Sequence, residues 1–331
     1  MIKLTSISKT FKVARRNQGP AAAFRSLFKR EYTYVRALEG VSFGIGEGEI
    51  IGYIGPNGAG KSTTIKVMSG ILVPDSGECE IMGCTPWKDR REYVRHIGVV
   101  FGQRAQLWWD VPIIDSFELL RDIYKIPASE YRNTLDMLVE TIGLADFLHT
   151  PLRQVSLGQR MRAEIAASLL HSPKILFLDE PTIGLDAVSK LAVRQFIRRI
   201  NAERKLTVIL TTHDQNDIEA LTDRVILIGR GRILHDGSMS DIKRRVDTYR
   251  MLSVTFARRG GPDNPDAPVH IENADLVSWN AERAVYRLDT VKTTVSAAIG
   301  ELGRSLNISD MTSEAPPVEE IIAGLYKELG I

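Results

Sequence analysis

Gly55-Pro56-Asn57-Gly58-Ala59-Gly60-Lys61-Ser62 stands between an apolar run, Ile50–Ile54, and a helical stretch, Ser62–Met68. The stretch matches G-x-x-x-x-G-K-[ST] in full, and in that setting, strand before and helix after, the pattern is a phosphate-binding loop. Its glycines let backbone N–H groups curl around a polyphosphate, and the helix N-terminus adds partial positive charge. Lys61 is expected to reach the β- and γ-phosphates and Ser62 to ligate Mg²⁺. With Thr63 alongside, the residues from Gly55 to Ser62 form the expected nucleotide site.

Working outward, four more apolar runs read as strands, Ile97–Phe101, Ile175–Leu178, Val208–Thr211 and Val225–Ile228. Near-continuous apolar runs suit strands buried on both faces, as in a parallel sheet. Helical stretches alternate with them: Leu135, Leu138, Val139 and Ile142 recur at helical spacing, as do Leu191, Phe196, Ile197 and Ile200. The expected class is therefore α/β with a largely parallel sheet. The run from Lys174 ends in Asp179-Glu180, so a buried strand delivers two carboxylates at its C-terminal tip, where ligands bind in such sheets. Asp179 is expected to hold Mg²⁺, directly or through water, and Glu180 to polarise an attacking water as general base. An isolated Asp-Glu after a strand is ordinarily a helix N-terminus; the upstream loop favours the chemical reading.

The pattern changes after about Asp241. Met251–Phe256, Val285–Leu288 and Asn307–Met311 read as strands, Val291–Leu302 as a helix, and a last helix starts near Pro317. The expected division is a nucleotide-binding domain over 1–241 and an accessory α+β module over 242–331, with no catalytic constellation in the latter.

The chain has 331 residues, 44% hydrophobic and 25% charged, with 43 basic residues against 41 acidic. That composition excludes a disordered, collagen-like or disulfide-scaffold chain, and the near-zero balance gives no global reason to expect nucleic acid as a partner. No apolar run approaches the ~18 residues of a membrane span, and Met1–Val13 lacks the apolar core of a signal peptide. A cytoplasmic chain is expected, any membrane role coming through a partner. Cys79 and Cys84 have neither the spacing nor the second Cys/His pair of a metal site, His96 being the nearby candidate, and read as two reduced thiols on a strand and turn. One local excess stands out: from Lys12 to Arg36 seven basic residues face one acid, Glu31. Phe24, Leu27 and Phe28 lie among them at helical spacing. A short basic amphipathic helix there suits an anionic membrane surface; packing of the three apolar residues on their own domain is the alternative.

An ordered set of motifs then resembles a known family, the ATP-binding subunits of ABC transporters. The resemblance covers about Ile2–Asp241 and rests on the phosphate loop, Gln103 after Val-Val-Phe-Gly, Val155-Ser156-Leu157-Gly158-Gln159, Asp179-Glu180, Gly184-Leu185-Asp186, and His213 after Val-Ile-Leu-Thr-Thr. It implies a P-loop NTPase of ABC type with a helical signature subdomain over about 104–172 and a basic insertion over about 14–31. ATP and Mg²⁺ are the implied ligands. Gln103 resembles the residue that senses Mg²⁺ and water; Ser156, Gly158 and Gln159 resemble the signature that contacts ATP held by a second subunit. Asp186 resembles the turn lining that interface, and His213 the switch on the γ-phosphate. Two copies, or a copy and a related ATPase subunit, are then expected to sandwich two ATP molecules. An integral membrane permease is the implied partner, which places the chain peripherally on the cytoplasmic face of the membrane. The C-terminal module and the insertion resemble exporter ATPases of bacteria.

The family's usual signature is L-S-G-G-Q, and Leu157 replaces its first glycine here. The adenine ring is implied to stack on an aromatic before the second strand, Tyr32 or, as the alternative, Tyr34. Trp108, Trp109, Phe117 and Tyr124 suit a groove for the permease, or ordinary packing of the helical subdomain. A soluble ABC-type ATPase acting on ribosomes or DNA is the competing class. Against it, this chain carries one motif set and no long heptad insertion.

Overall fold

The computed structural model describes residues 1–14, 32–102, 105–212, 214–246, 249–256 and 268–314. The expected helices around Phe24 and after Pro317 lie outside the described residues, as do Gln103 and His213. Contacts divide the chain into two units, Met1–Gly237 and Ser238–Ile331.

The strands of the first unit are β1 (Ile2–Ala14), β2 (Tyr32–Ile45), β3 (Ile50–Ile54), β4 (Ser76–Ile81), β5 (Ile97–Phe101), β6 (Ile175–Asp179), β7 (Thr207–Thr211), β8 (Arg224–Gly229) and β9 (Arg232–Gly237). The five expected apolar runs, joined by β9, form the six-stranded sheet β5-β6-β7-β3-β8-β9, parallel except for β9, which is antiparallel to β8. Alternation across the pleat separates two cores. Leu176, Leu178, Val208 and Leu210 face one apolar cluster with the helical segments; Ile175, Phe177 and Ile209 face another with the N-terminal strands. That is why these strands read as unbroken apolar runs.

The helices are α1 (Lys61–Met68), α2 (Arg90–Tyr93), α3 (Ile113–Tyr124), α4 (Ala128–Ile142), α5 (Leu157–Leu169), α6 (Ala187–Arg204) and α7 (Gln215–Leu221). Phe117, Tyr131, Leu138, Met161, Val193 and Phe196 bring α3 to α6 onto the first cluster. A second sheet, β2-β1-β4, is antiparallel and covers the other face with Ile2, Leu4, Ile7, Val41 and Phe43. β1 and β2 are not evident in the sequence, because their outward residues are charged or polar and mask the alternation. Cys79 is buried on β4, and burial pushes its thiol up to about 12, far from the thiolate form.

The second unit contains α8 (Met239–Val246), the antiparallel sheet β11 (Ala274–Trp279), β12 (Arg283–Asp289), β10 (Tyr249–Phe256) and β13 (Ile308–Glu314), and α9 (Val295–Ser305). Leu252, Val254, Tyr286, Leu288, Ala298 and Leu302 form its core. The helix begins at Val295 rather than Val291. Asp289 turns the preceding chain, accepting from Val291 N–H, and the Thr294 hydroxyl caps the helix by accepting from Ala297 N–H at 3.2 Å.

Candidate functional site

β7 lies between β3 and β6, and Tyr53, Thr211 and Asp179 sit in one row across the three strands. The phosphate loop and the Asp179-Glu180 tip therefore leave the sheet at the same end, separated by one strand, about 10 Å. Local geometry explains the glycines. Gly60 has φ +114° and an added Cβ would meet the Ala37 carbonyl at 2.6 Å. Gly55 packs so closely on β8 that a Cβ would fall 2.2 Å from the Ile228 carbonyl oxygen. The Ala59 carbonyl accepts from Gly231 N–H at 2.9 Å, fixing the loop to the turn after β8.

Lys61 is buried and donates to the Gly55 carbonyl at 2.6 Å and to that of Pro56 at 3.2 Å. Burial lowers its pKa, and the carboxylates of Glu180 and Asp179 oppose that shift. The loop thus holds a cation at the start of an eight-residue helix, an arrangement that fits a polyphosphate. Ser62 and Asp179 supply the hard oxygen donors that suit Mg²⁺. Asp179 Oδ1 accepts from the Thr211 hydroxyl at 2.6 Å. Glu180 holds φ +55°, a left-handed conformation, and its N–H donates to both oxygens of Thr211 at 3.0 Å. Gly102 N–H donates to the Asp179 carbonyl at 2.9 Å, which brings the chain just before Gln103 against the acidic tip.

Ser156 and Gln159 form a capping box on α5: Gln159 N–H donates to Ser156 Oγ at 3.2 Å, and Ser156 N–H donates to Gln159 Oε1 at 2.9 Å. Asp186 caps α6 with its carboxylate alone, accepting from Ser189 N–H and Oγ at 2.9 and 2.7 Å; these bonds hold its carboxyl below the usual range. The two helix starts nearly touch, since a Cβ on Gly158 would lie 2.3 Å from Ser189 Oγ. Leu157, the departure in the signature, lies half exposed beside Gly184, so the turn before Asp186 accommodates the extra side chain.

Two regions outside the motifs hold buried carboxylates. On α5, the buried Glu164 carboxylate accepts from Gln106 N–H at 3.1 and 3.2 Å, and the Gln106 side chain donates back to the Glu164 carbonyl at 2.8 Å. Burial pushes Glu164 up to about 7 against these bonds. Burial drives His171 the other way, down to about 4, where it stacks on Tyr124 with ring centres 4.0 Å apart. The second region is a carboxylate at Asp217 that accepts from the Thr182 and Thr212 hydroxyls and from Arg194. Neither stands out in the sequence, because an acid inside a helix ordinarily faces water.

Of the four aromatics after Gln103, Phe117 is core and Tyr124 is stacked on His171, while Trp108 and Trp109 are 43% and 50% exposed. The Arg160 guanidinium lies over the Trp109 ring at 5.5 Å. Tyr32 pairs with Ala14 at the far end of the β1–β2 ribbon, its ring facing the Lys12 ammonium at 4.0 Å. It stands five residues along β2 from Ala37, the residue packed on Gly60, roughly 17 Å of strand. Phe11 pairs with Val35, about 7 Å along the strand from Ala37.

Residues 38–183 match the family described as ABC transporter. The linearmycin resistance ATP-binding protein LnrL of Bacillus subtilis is 31% identical over 299 residues, 90% of this chain and 96% of that protein. The chain belongs to the ABC transporter family. A fluoroquinolones export ATP-binding protein of Mycobacterium tuberculosis is 37% identical over 225 residues, 68% of this chain and 72% of that one. A dimeric ATP-binding cassette in a post-hydrolysis state, bound to ADP and Pi, superposes with a TM-score of 0.60 at 27% identity, covering 72% of this chain and 99% of that one. This ABC ATPase is thus an ATP-binding, ATP-hydrolysing subunit of the transporter type. Among its described residues no helix is long and apolar enough to cross a membrane.

The ionisation of Glu164 gives the ATPase a measurable pH signature. Between the ordinary carboxylate range and about pH 7 the folded chain keeps a proton that the unfolded chain has released, so this group's contribution falls as pH rises. His171 contributes the opposite slope, lost as pH falls below the ordinary histidine range. The Glu164 contribution is therefore read as a difference between proteins. From about pH 5 to about pH 8, Glu164→Gln is expected to gain about 3 kcal/mol on the wild type in urea unfolding. A difference that stays constant across that range would put the carboxyl in water.

Proposed function

We propose that this ABC ATPase is the motor subunit of an exporter, working as a pair of copies on the cytoplasmic face of a membrane permease. The observation that carries the chemistry is the row Tyr53, Thr211 and Asp179, which sets Lys61 and Glu180 on either side of one strand. In this reading the phosphates of ATP lie on the loop from Gly55 to Thr63. Lys61 turns from its own loop carbonyls to the β- and γ-phosphates. Ser62, Asp179 and Gln103 would hold Mg²⁺, which would neutralise phosphate charge. Thr211 orients Asp179 through its hydroxyl and fixes the Glu180 backbone through its two oxygens. Glu180 takes the proton of the attacking water, and His213 meets the γ-phosphate. Ser156, Gly158 and Gln159 of the second copy close over the nucleotide, and Asp186 lines the joint. Export is favoured by the resistance and export names of the relatives.

For the adenine ring, Phe11 is better placed than Tyr32, because it stands nearer the loop along the ribbon. Phe11→Ala is expected to weaken ATP about tenfold and Tyr32→Ala less than about twofold, by the usual worth of base stacking; the reverse order in a nucleotide titration returns the role to Tyr32.

The experiment that tests the motor reading is retrieval of tagged Glu180→Gln protein from detergent-solubilised host membranes in ATP and Mg²⁺. Recovery of a polytopic membrane protein supports the reading. Recovery of ribosomes or DNA-bound factors in its place overturns it in favour of a soluble ATPase.

A further inference from the structure

Asp217 lies near the start of α7, fully buried, and it receives three segments at once. Its Oδ2 accepts from the hydroxyl of Thr182, two residues after Glu180, and from the hydroxyl of Thr212 at 3.0 Å. Its Oδ1 accepts from Arg194 of α6, the helix that Asp186 caps, at 2.5 Å. The Thr212 hydroxyl has a second partner, Asp214 N–H, which donates to it at 3.0 Å. One hydroxyl therefore grips the backbone on both sides of position 213. Asp214 is in turn paired with Lys190 of α6 at 2.6 Å and lies 3.6 Å from Arg194.

We propose that Asp217 is a positioning residue for hydrolysis, fixing the chain that carries Glu180 to the chain on either side of His213 and to the helix behind Asp186. The inference rests on the roles given to Glu180 and His213 above. Its physical basis is that a buried carboxylate with both oxygens accepting is a stiff joint: each bond is charge-assisted, and losing any one takes a partner from a buried charged group. A joint of this kind sets the spacing between a base and a phosphate-contacting side chain while touching neither, and small errors in that spacing are costly to rate. Thr182 and Thr212 are themselves almost fully buried, so no water replaces a missing hydroxyl.

The test uses the purified full chain and steady-state ATP hydrolysis, with ATP affinity and the thermal midpoint measured in parallel. Thr182→Val and Thr212→Val remove one hydroxyl each at nearly constant volume. Each is expected to lower kcat about tenfold or more, with KM and ATP affinity within about twofold. Asp217→Asn is expected to do the same, and the Thr182→Val/Asp217→Asn double variant to be no slower than the slower single one, since both act through one joint. Thr182→Ser, which keeps the hydroxyl, is expected to restore kcat. A valine variant with wild-type kcat and only a lowered midpoint overturns the proposal and leaves Asp217 a brace for folding. If Asp217→Asn does not fold, Thr182→Val, Thr212→Val and Thr182→Ser decide. Glu180→Gln is the control: turnover surviving there removes the base, and with it the positioning role. Turnover lost there but intact in Thr182→Val removes Asp217 alone.

Discussion

Glu180→Gln protein is expected to bind ATP as the wild type does, to lose turnover by about 10²–10⁴-fold, and to accumulate as a dimer in ATP and Mg²⁺. Glutamine keeps the shape and the backbone bonds to Thr211, so the left-handed turn at residue 180 survives. What is lost is the acceptor for a proton from water. Binding energy that closes two copies around ATP is then never released by cleavage, and the closed population builds up. Hydrolysis and gel filtration with ATP check the two halves separately. Turnover near the wild-type rate would take the base role from Glu180. Lost turnover without dimer growth would keep the base and undo the proposed sandwich.

The second large effect is at Lys61. Its replacement by alanine removes a buried ammonium that the loop holds at 2.6 Å from its own backbone. A charge-assisted bond to phosphate is worth about 1.5–3 kcal/mol, so ATP affinity is expected to fall roughly ten- to hundredfold. Part of the effect is internal, because the Gly55 and Pro56 carbonyls lose their donor and the loop relaxes. Lys61→Arg separates the terms, keeping charge while exceeding the space. Calorimetric titration with ATP reads both variants, and undiminished binding in Lys61→Ala refutes the loop assignment.

Much of this was legible in the residues, for identifiable reasons. The five parallel strands show because burial on both faces leaves unbroken apolar runs, as in Ile175–Leu178 and Val208–Thr211. The phosphate loop shows because the backbone shape it needs admits glycine at Gly55 and Gly60. β1 and β2 do not, since one face of each is wet and its polar residues break the pattern. The hydroxyls of Thr182, Thr211 and Thr212 were hidden for another reason. Thr182 and Thr211 bond carboxylates 35 and 32 residues away, and Thr212 bonds one across the turn into α7; a threonine in a strand or after a proline is ordinary until the chain is folded. The same holds for Glu164 and Asp217: an acid within a helix is ordinarily at the surface, and these two are buried.

The capping box at Ser156 has one more consequence. A serine hydroxyl carries one hydrogen and two lone pairs, and Gln159 N–H occupies a lone pair. The hydrogen is therefore not spent on the helix. With its oxygen accepting from Gln159, the hydroxyl keeps its hydrogen to donate, and in the proposed pair an anion held by the other copy would accept it without disturbing α5. In that proposed pair, adhesion and separation would leave the helix itself untouched, so the same surface could be used turn after turn without refolding.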